Sequence, residues 1–125
     1  MMPDASDFTE LAERYIAAWN EPDPAARRKA VTEIWSASAR SCTSGAEYNG
    51  HAAIETRVAE AHDKWVGQGG YLFRSRRAAE GHHGGVRIHW EMVPAAGGAA
   101  ASAGVQFLIL DDEDQVRYDY QFIDK

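Results

Sequence analysis

Few side chains in this chain are suited to chemistry, and their types narrow what that chemistry is. Tyr15 falls on the series Phe8, Leu11, Ala12, Tyr15, Ile16 and Trp19, whose spacing is one face of a helix, so its phenol is carried inward. A buried phenol can donate a hydrogen bond to a developing oxyanion, or it can simply meet a backbone carbonyl in a core. Asp119 sits in the alternating run VRYDYQFI, and its direction depends on register. One register turns Asp119, Gln121 and Ile123 inward. A slip of one residue turns Tyr118, Tyr120 and Phe122 inward instead, leaving Asp119 outside near Arg117 or Arg87. An inward carboxylate beside Trp90 and Tyr15 has its pKa raised by desolvation, which suits a general base.

The remaining reactive types carry less. His82 and His83, with His89 and Glu91 nearby, have metal-binding atoms, but the spacing matches no ligand motif. A hairpin there also sends His83 and His89 to opposite faces. No metal and no cofactor are expected. His62, in the third helix, reads as a surface or dimer contact. Cys42 is the one cysteine, so no internal disulfide forms, and with no histidine placed beside it the thiol reads as a small buried hydrophobe.

These residues have to be positioned by helices and strands in a definite order. Asp7 with Glu10 forms a capping box, with Ser6 as an alternative cap, ahead of the first helix. Asn20 to Asp23 breaks it, and Asp23–Pro24 starts a second helix that runs to about Trp35 with Ala26, Ala30, Val31, Ile34 and Trp35 inward. A short strand is predicted over Ala39 to Thr43, then a loop carrying Tyr48. Asn49 or Gly50 opens a third helix along Ile54, Val58, Ala61 and Trp65, which Gly67, Gly69 and Gly70 close.

Beyond Gly70 the chain reads as strand. Tyr71 to His83 and Val86 to Val93 flank a Gly84-Gly85 turn, a register that sets Ala79 opposite Trp90 and Glu80 opposite His89. Val86, Ile88, Trp90 and Met92 then face the helices. Ala95 to Ala103 is a loop. Val105 to Leu110 and Val116 to Ile123 form a hairpin around the acidic turn Asp111 to Gln115. The first of these arms is apolar on nearly every residue, which calls for helices on one face and a partner on the other. Helices followed by an antiparallel sheet are an α+β order.

Composition bounds the setting. The chain has 125 residues, enough for one domain (residues 1–125) with a core of its own. A net charge of -6 argues against a nucleic-acid surface, and the basic cluster Arg74, Arg76 and Arg77 reads as a solvated or interface strand. No apolar run approaches the roughly 20 residues that span a bilayer, and the N-terminal MMPDASDF lacks the features of a signal peptide. With a single cysteine, this predicts a cytoplasmic location and no membrane partner.

The order of elements, with RYIAAWN in the first helix, IW closing the second, YNGHAAI entering the third, IHWEM, and a terminal DQVRYDYQFID, resembles the nuclear transport factor 2-like superfamily. Within it the chain is most similar to the SnoaL-like polyketide cyclase and ketosteroid isomerase branch, from about Phe8 to Asp124. The resemblance implies three helices packed on a curved antiparallel sheet, a cystatin-like half-barrel cone with a pocket between the layers. It also implies a homodimer through the outer sheet face. RYIAAWN looks like the isomerase segment whose tyrosine donates to an enolate oxygen, which would be Tyr15.

Two positions depart from the isomerase. Its general-base aspartate matches Thr43, with no carboxylate between Glu33 and Glu47, and its second oxyanion donor matches Gln106. Threonine cannot abstract a carbon-bound proton near neutral pH, whereas the Gln106 amide can still donate a hydrogen bond. Some cyclase relatives place an acid/base aspartate late in the sheet, where Asp119 is the matching type. The resemblance thus implies an isomerase, cyclase or dehydratase acting on a small apolar ring compound. Asp119 would be the base, and Tyr15 and Gln106 would polarise a carbonyl. Trp90, Trp19, Trp35, Tyr48 and His83 would border the ligand. The alternatives are a non-catalytic binder of a hydrophobic ligand and a dimeric assembly module whose pocket is filled by its own side chains.

Overall fold

A computed structural model describes residues 5–125, with side chains from Phe8 onward, so the predicted caps Ser6 and Asp7 lie outside the described side chains. Helix α1 (Ala5–Asn20) buries Phe8, Leu11, Ala12, Tyr15 and Ile16, the stripe expected from spacing. Helix α2 (Pro24–Ile34) starts as predicted: the Asp23 carboxylate accepts from the Ala26 amide at 3.2 Å, and Pro24 occupies the first turn. It stops one residue short of expectation. Trp35 already has extended backbone and begins strand β1 (Trp35–Cys42), which is longer than the predicted Ala39–Thr43 segment. A β-branched and aromatic pair, Ile34-Trp35, sits equally well in a helix or a strand, and here tertiary packing decides.

A short strand β2 (Glu47–Asn49) leads into helix α3 (Gly50–Ala61), which continues as a π-helical turn (His62–Gln68) carrying Trp65. Gly70, at φ +75°, takes the left-handed conformation that ends this stretch. Four long strands follow: β3 (Tyr71–His82), β4 (Gly85–Pro94), β5 (Ser102–Leu110) and β6 (Val116–Ile123). All six strands form one curved, unclosed sheet in the order β2-β1-β6-β5-β4-β3. The sheet is antiparallel except where β1 joins β6, a parallel pair that sets Ser41 beside Asp119. That pair is possible because helix α3 with its π-helical turn and four strands separate its members in sequence, ample length for a crossover.

The β3–β4 hairpin corrects the expected register. The turn residues are His83 and Gly84, both at positive φ (51° and 80°), and His82 pairs with Gly85. Two left-handed residues in succession match the twist of the flanking strands, as a two-residue hairpin turn requires. With two bulges further along β3, Trp90 comes to lie opposite Ser75 and Glu80 opposite Arg87, in place of the expected Ala79 and His89. The space for Trp90 comes from the other neighbour. It pairs with Gly104 on β5, where an added Cβ would sit 2.7 Å from the indole and 2.5 Å from the Phe122 carbonyl oxygen.

The inward side of β4 is as expected, with Val86, Ile88, Trp90 and Met92 buried. The β5–β6 turn is held by the Asp111 carboxylate, which accepts from the amides of Glu113 and Gln115. No helix among the described residues is long and apolar enough to cross a membrane.

Candidate functional site

Between α1, α3 and the concave face of the sheet lies a cavity of about 140 Å³. Tyr15 and Trp19 reach it from α1, Arg57 from α3, Trp65 from the π-helical turn, and Phe73, Trp90, Gln106 and Gln121 from the strands. Most of the wall is aromatic. Ile123 also lines it while 61 % exposed, so the cavity reaches solvent at the end of β6. Its volume is close to that of an engineered cavity that accepts one benzene ring.

Helix α1 is fastened in place at its end. Asn20 donates to the Phe73 carbonyl at 2.6 Å and accepts from the Phe73 amide at 2.9 Å, so the helix end is tied to β3 as another strand would be. His62 reaches the Trp19 carbonyl at 3.1 Å and His51 reaches the Trp35 carbonyl at 2.7 Å, which ties α3 to its neighbours. His62 is therefore a buried tether and not the surface contact its position suggested.

Behind one wall of the cavity lies a polar cluster. The register of β6 turns Asp119 inward, and its carboxylate is fully buried. Tyr15 donates its hydroxyl to Asp119 Oδ2 at 2.6 Å, and the Trp35 indole N–H donates to the same oxygen at 3.2 Å. The Gln106 amide donates to Asp119 Oδ1 at 2.6 Å and to the Tyr15 hydroxyl oxygen at 3.0 Å. The amide's own oxygen accepts from the Trp90 indole at 3.0 Å, which fixes the direction of its NH₂ group.

Burial and hydrogen bonding compete over Asp119. Desolvation raises its pKa from 3.8 to about 6, although the bonds from Tyr15, Gln106 and Trp35 and the charge of Arg57 act the other way. The Tyr15 phenol is pushed well above its usual value, first by burial and then by the adjacent carboxylate. Near neutral pH the cluster therefore holds a carboxylate and a neutral phenol. That is a proton acceptor with a hydroxyl bridge between it and the cavity. Asp119 itself does not line the cavity, whereas Tyr15 and Gln106 do.

The structure brings together Tyr15, Gln106, Asp119, Trp90, Trp19 and Trp35 from the predicted set, with Trp35 one layer behind the wall. It separates the other two. Tyr48 lies outside the cavity lining, its ring under the Arg57 guanidinium at 5.6 Å. His83 occupies the β3–β4 turn, beside a different cleft lined by His82, Phe107 and Ile109. The one-residue shift of that turn moved it from the expected pocket mouth. Cys42 is only half-buried and lies 3.9 Å from Glu47.

Gln121 lines the cavity as the inward register of β6 implied, and Trp65 and Phe73 join the aromatic wall, whereas Arg57 is a lining residue that was not predicted at all. The signal for Arg57 was present: it stands four residues before Ala61 and next to Val58, inside the buried stripe of α3.

No protein-family model matches the chain, and no curated protein sequence matches it. Solved structures do. A SnoaL-like family protein from Agrobacterium tumefaciens, assigned as an isomerase, is 25% identical, with a TM-score of 0.86 over 96% of this chain and 99% of that one. A protein from Sinorhizobium meliloti assigned as a polyketide cyclase is 13% identical, with a TM-score of 0.69 over 96% of this chain and all of that one (100%). A nuclear transport factor 2-like protein of unknown function from Mesorhizobium loti is 16% identical, with a TM-score of 0.69 over 100% and 98% of the two chains. The last two are likenesses of fold.

Proposed function

The chain has the fold of the nuclear transport factor 2-like superfamily, of the SnoaL-like kind; on that premise we propose that it is an isomerase or cyclase acting on a small apolar ring compound held in the aromatic cavity. One observation carries the reading: a buried carboxylate of raised pKa, joined by a 2.6 Å hydrogen bond to a phenol that lines the cavity.

In the proposed step a substrate carbon α to a carbonyl gives its proton to the Tyr15 oxygen while the phenol's own proton moves to Asp119 Oδ2. The electron pair of the broken C–H bond becomes an enolate. Where a C=C adjoins, the pair delocalises into a dienolate and return of the proton to the γ carbon gives an isomer. Attack of the enolate on a second carbonyl of the same molecule closes a ring, and the alkoxide formed takes the proton back from the Asp119–Tyr15 pair. Asp119 is the terminal base, Tyr15 the group that meets the substrate, and Gln106 a positioning residue whose two N–H bonds hold the pair together. Trp90 and Trp19 form the walls.

Simple ketones can stand in for the natural substrate in a test. Cyclic ketones incubated with the protein in D₂O should exchange their α-hydrogens faster than in its absence, as read by NMR. Asp119→Asn and Tyr15→Phe should abolish the acceleration. Exchange at the same rate in Asp119→Asn would remove Asp119 from the chemistry. A second reading, a non-catalytic ligand binder, draws on the position of Asp119 behind the wall, with all three of its donors satisfied. In that case ring ligands bind equally well to wild type and Asp119→Asn, and no exchange is catalysed.

The outer face of the sheet supports a homodimer as the partner arrangement. Phe107 and Ile109 are each 36 % exposed and Phe122 61 %, on adjoining strands β5 and β6. A charge at Phe107 should lower the sedimentation coefficient to that of a monomer.

A further inference from the structure

The cavity contains a charge that the proposed chemistry does not use. Arg57 is the one charged side chain among its described lining residues, and it stands in a wall that is otherwise aromatic, aliphatic or neutral polar. Other arginines of this chain meet carboxylates: Arg28 with Glu55, Arg40 with Glu47, Arg74 with Glu91, Arg76 with Asp124. Among the described residues Arg57 meets none, and its guanidinium has no hydrogen-bond acceptor either. What holds it is two aromatic rings, Trp19 at 5.5 Å and Tyr48 at 5.6 Å from their centroids. The buried indole N–H of Trp19, the same ring over which Arg57 lies, also lacks an acceptor. A half-buried cation that lines an apolar cavity and meets no acceptor among the described residues suits an occupant with acceptor oxygens.

We propose that Arg57 is the anchor for a carboxylate on the ring-containing ligand, so that this cavity selects monoanionic aromatic or alicyclic acids over their neutral counterparts. The inference rests on the cavity reading above and names the substrate class within it. A guanidinium is planar, permanently charged and able to donate two parallel N–H bonds to one carboxylate. The flanking rings hold the side chain, so little of its conformational entropy remains to be lost on binding. The surrounding aromatic wall lowers the local dielectric and strengthens the pairing.

The test compares benzoate, benzamide and benzylamine as probes, three ligands of one ring size that differ in charge, by calorimetry and by quenching of tryptophan fluorescence. For wild type, benzoate should bind about tenfold or more tighter than benzamide, and benzylamine should bind weakest, as expected for a charge-assisted hydrogen-bonded pair. Arg57→Met keeps the apolar stem and should bring benzoate and benzamide to within about twofold of each other. Arg57→Lys keeps the charge without the fork and should fall between. Denaturant unfolding of each variant checks that the fold is retained. Equal binding of benzoate and benzamide to wild type, or an anion preference that survives in Arg57→Met, would overturn the anchor while leaving an apolar ring cavity standing. If none of the three probes binds at millimolar concentration, both the cavity reading and the anchor are wrong.

Discussion

Asp119 and Glu80 are both sheet carboxylates with three polar partners, and their acidities move in opposite directions. Glu80 accepts from His89 at 2.9 Å and pairs with Arg87 at 2.9 Å and Arg77 at 3.3 Å on the outer side of β3 and β4. Its pKa is lowered, chiefly by the bond from His89, with both arginines adding to it. Asp119 has three donors that are all neutral, it is shut off from water, and its pKa rises. The number of partners therefore does not decide the acidity. What decides it first is whether the carboxylate keeps its hydration, and then whether cations stand beside it. An exposed carboxylate among cations is a local ion-pair hub. A buried one among neutral donors is poised to take a proton.

The largest effect that could break this contrast is at Asp119 itself. Asp119→Asn should reduce any proton-transfer rate by about 10² to 10⁴, the range for loss of a general base. Asp119→Ala would in addition strand the donors of Tyr15, Trp35 and Gln106 in a dry site. It should lower stability by about 3 kcal/mol or more, measured by urea unfolding.

The pH dependence sharpens the contrast further, because the two carboxylates give opposite slopes. Asp119 has a folded-state pKa near 6, above its unfolded value, so between about pH 4 and 6 the native state binds the extra proton. Its contribution to stability thus falls as pH rises through that window, by about 3 kcal/mol if the whole shift is expressed. Glu80, with a lowered pKa, contributes stability above its unfolded value that is lost as pH falls through the lower folded one. Unfolding measured against pH should show the Asp119 slope in wild type and not in Asp119→Asn. Any rate that depends on Asp119 as base should rise with pH and level off above about pH 6.

A smaller effect tests the packing that aims Gln106 at this carboxylate. Gly104→Ala places a methyl 2.7 Å from Trp90 and 2.5 Å from the Phe122 carbonyl, and the carbonyl cannot yield without disturbing the β5–β6 ladder. Overpacking of this kind costs about 1 to 3 kcal/mol. Because Trp90 donates to Gln106, displacement of its indole should also loosen the Gln106–Asp119 bond. Loss of exchange activity beyond the loss of folded protein would show it.

These residues also mark how far a sequence can be read. The stripe that carries Tyr15 inward was legible because helix period and residue type agree over three turns. The direction of Asp119 was not. Both faces of β6 carry large side chains, Tyr118 and Tyr120 on one and Gln121 and Ile123 on the other, so period-two alternation names two faces without saying which is inner. The parallel pairing of β6 with β1 is a long-range contact that leaves no local mark. The β3–β4 register slipped by one because a histidine with positive φ, His83, took a turn position that glycine would be expected to fill. Arg57 was passed over because an arginine on a helix ordinarily marks the solvent side, and one of its two aromatic neighbours, Trp19, comes from α1, distant in sequence.

The smallest expected effect belongs to the other member of the comparison. Glu80→Gln removes the charge but keeps an amide oxygen able to accept from His89, whose Nδ1 already has no partner in its buried setting. Arg77 and Arg87 lose a counter-ion, yet both are more than half exposed and regain water. Melting temperature should fall slightly at low salt, and the difference should shrink as salt is added, because screening weakens only the ion-pair part. Proton-transfer activity and ring-ligand affinity should stay at wild-type levels, since Glu80 does not line the cavity. A salt-independent loss, or any change in the pH dependence governed by Asp119, would mean that the two faces of the sheet are coupled and that the contrast between the carboxylates is not local.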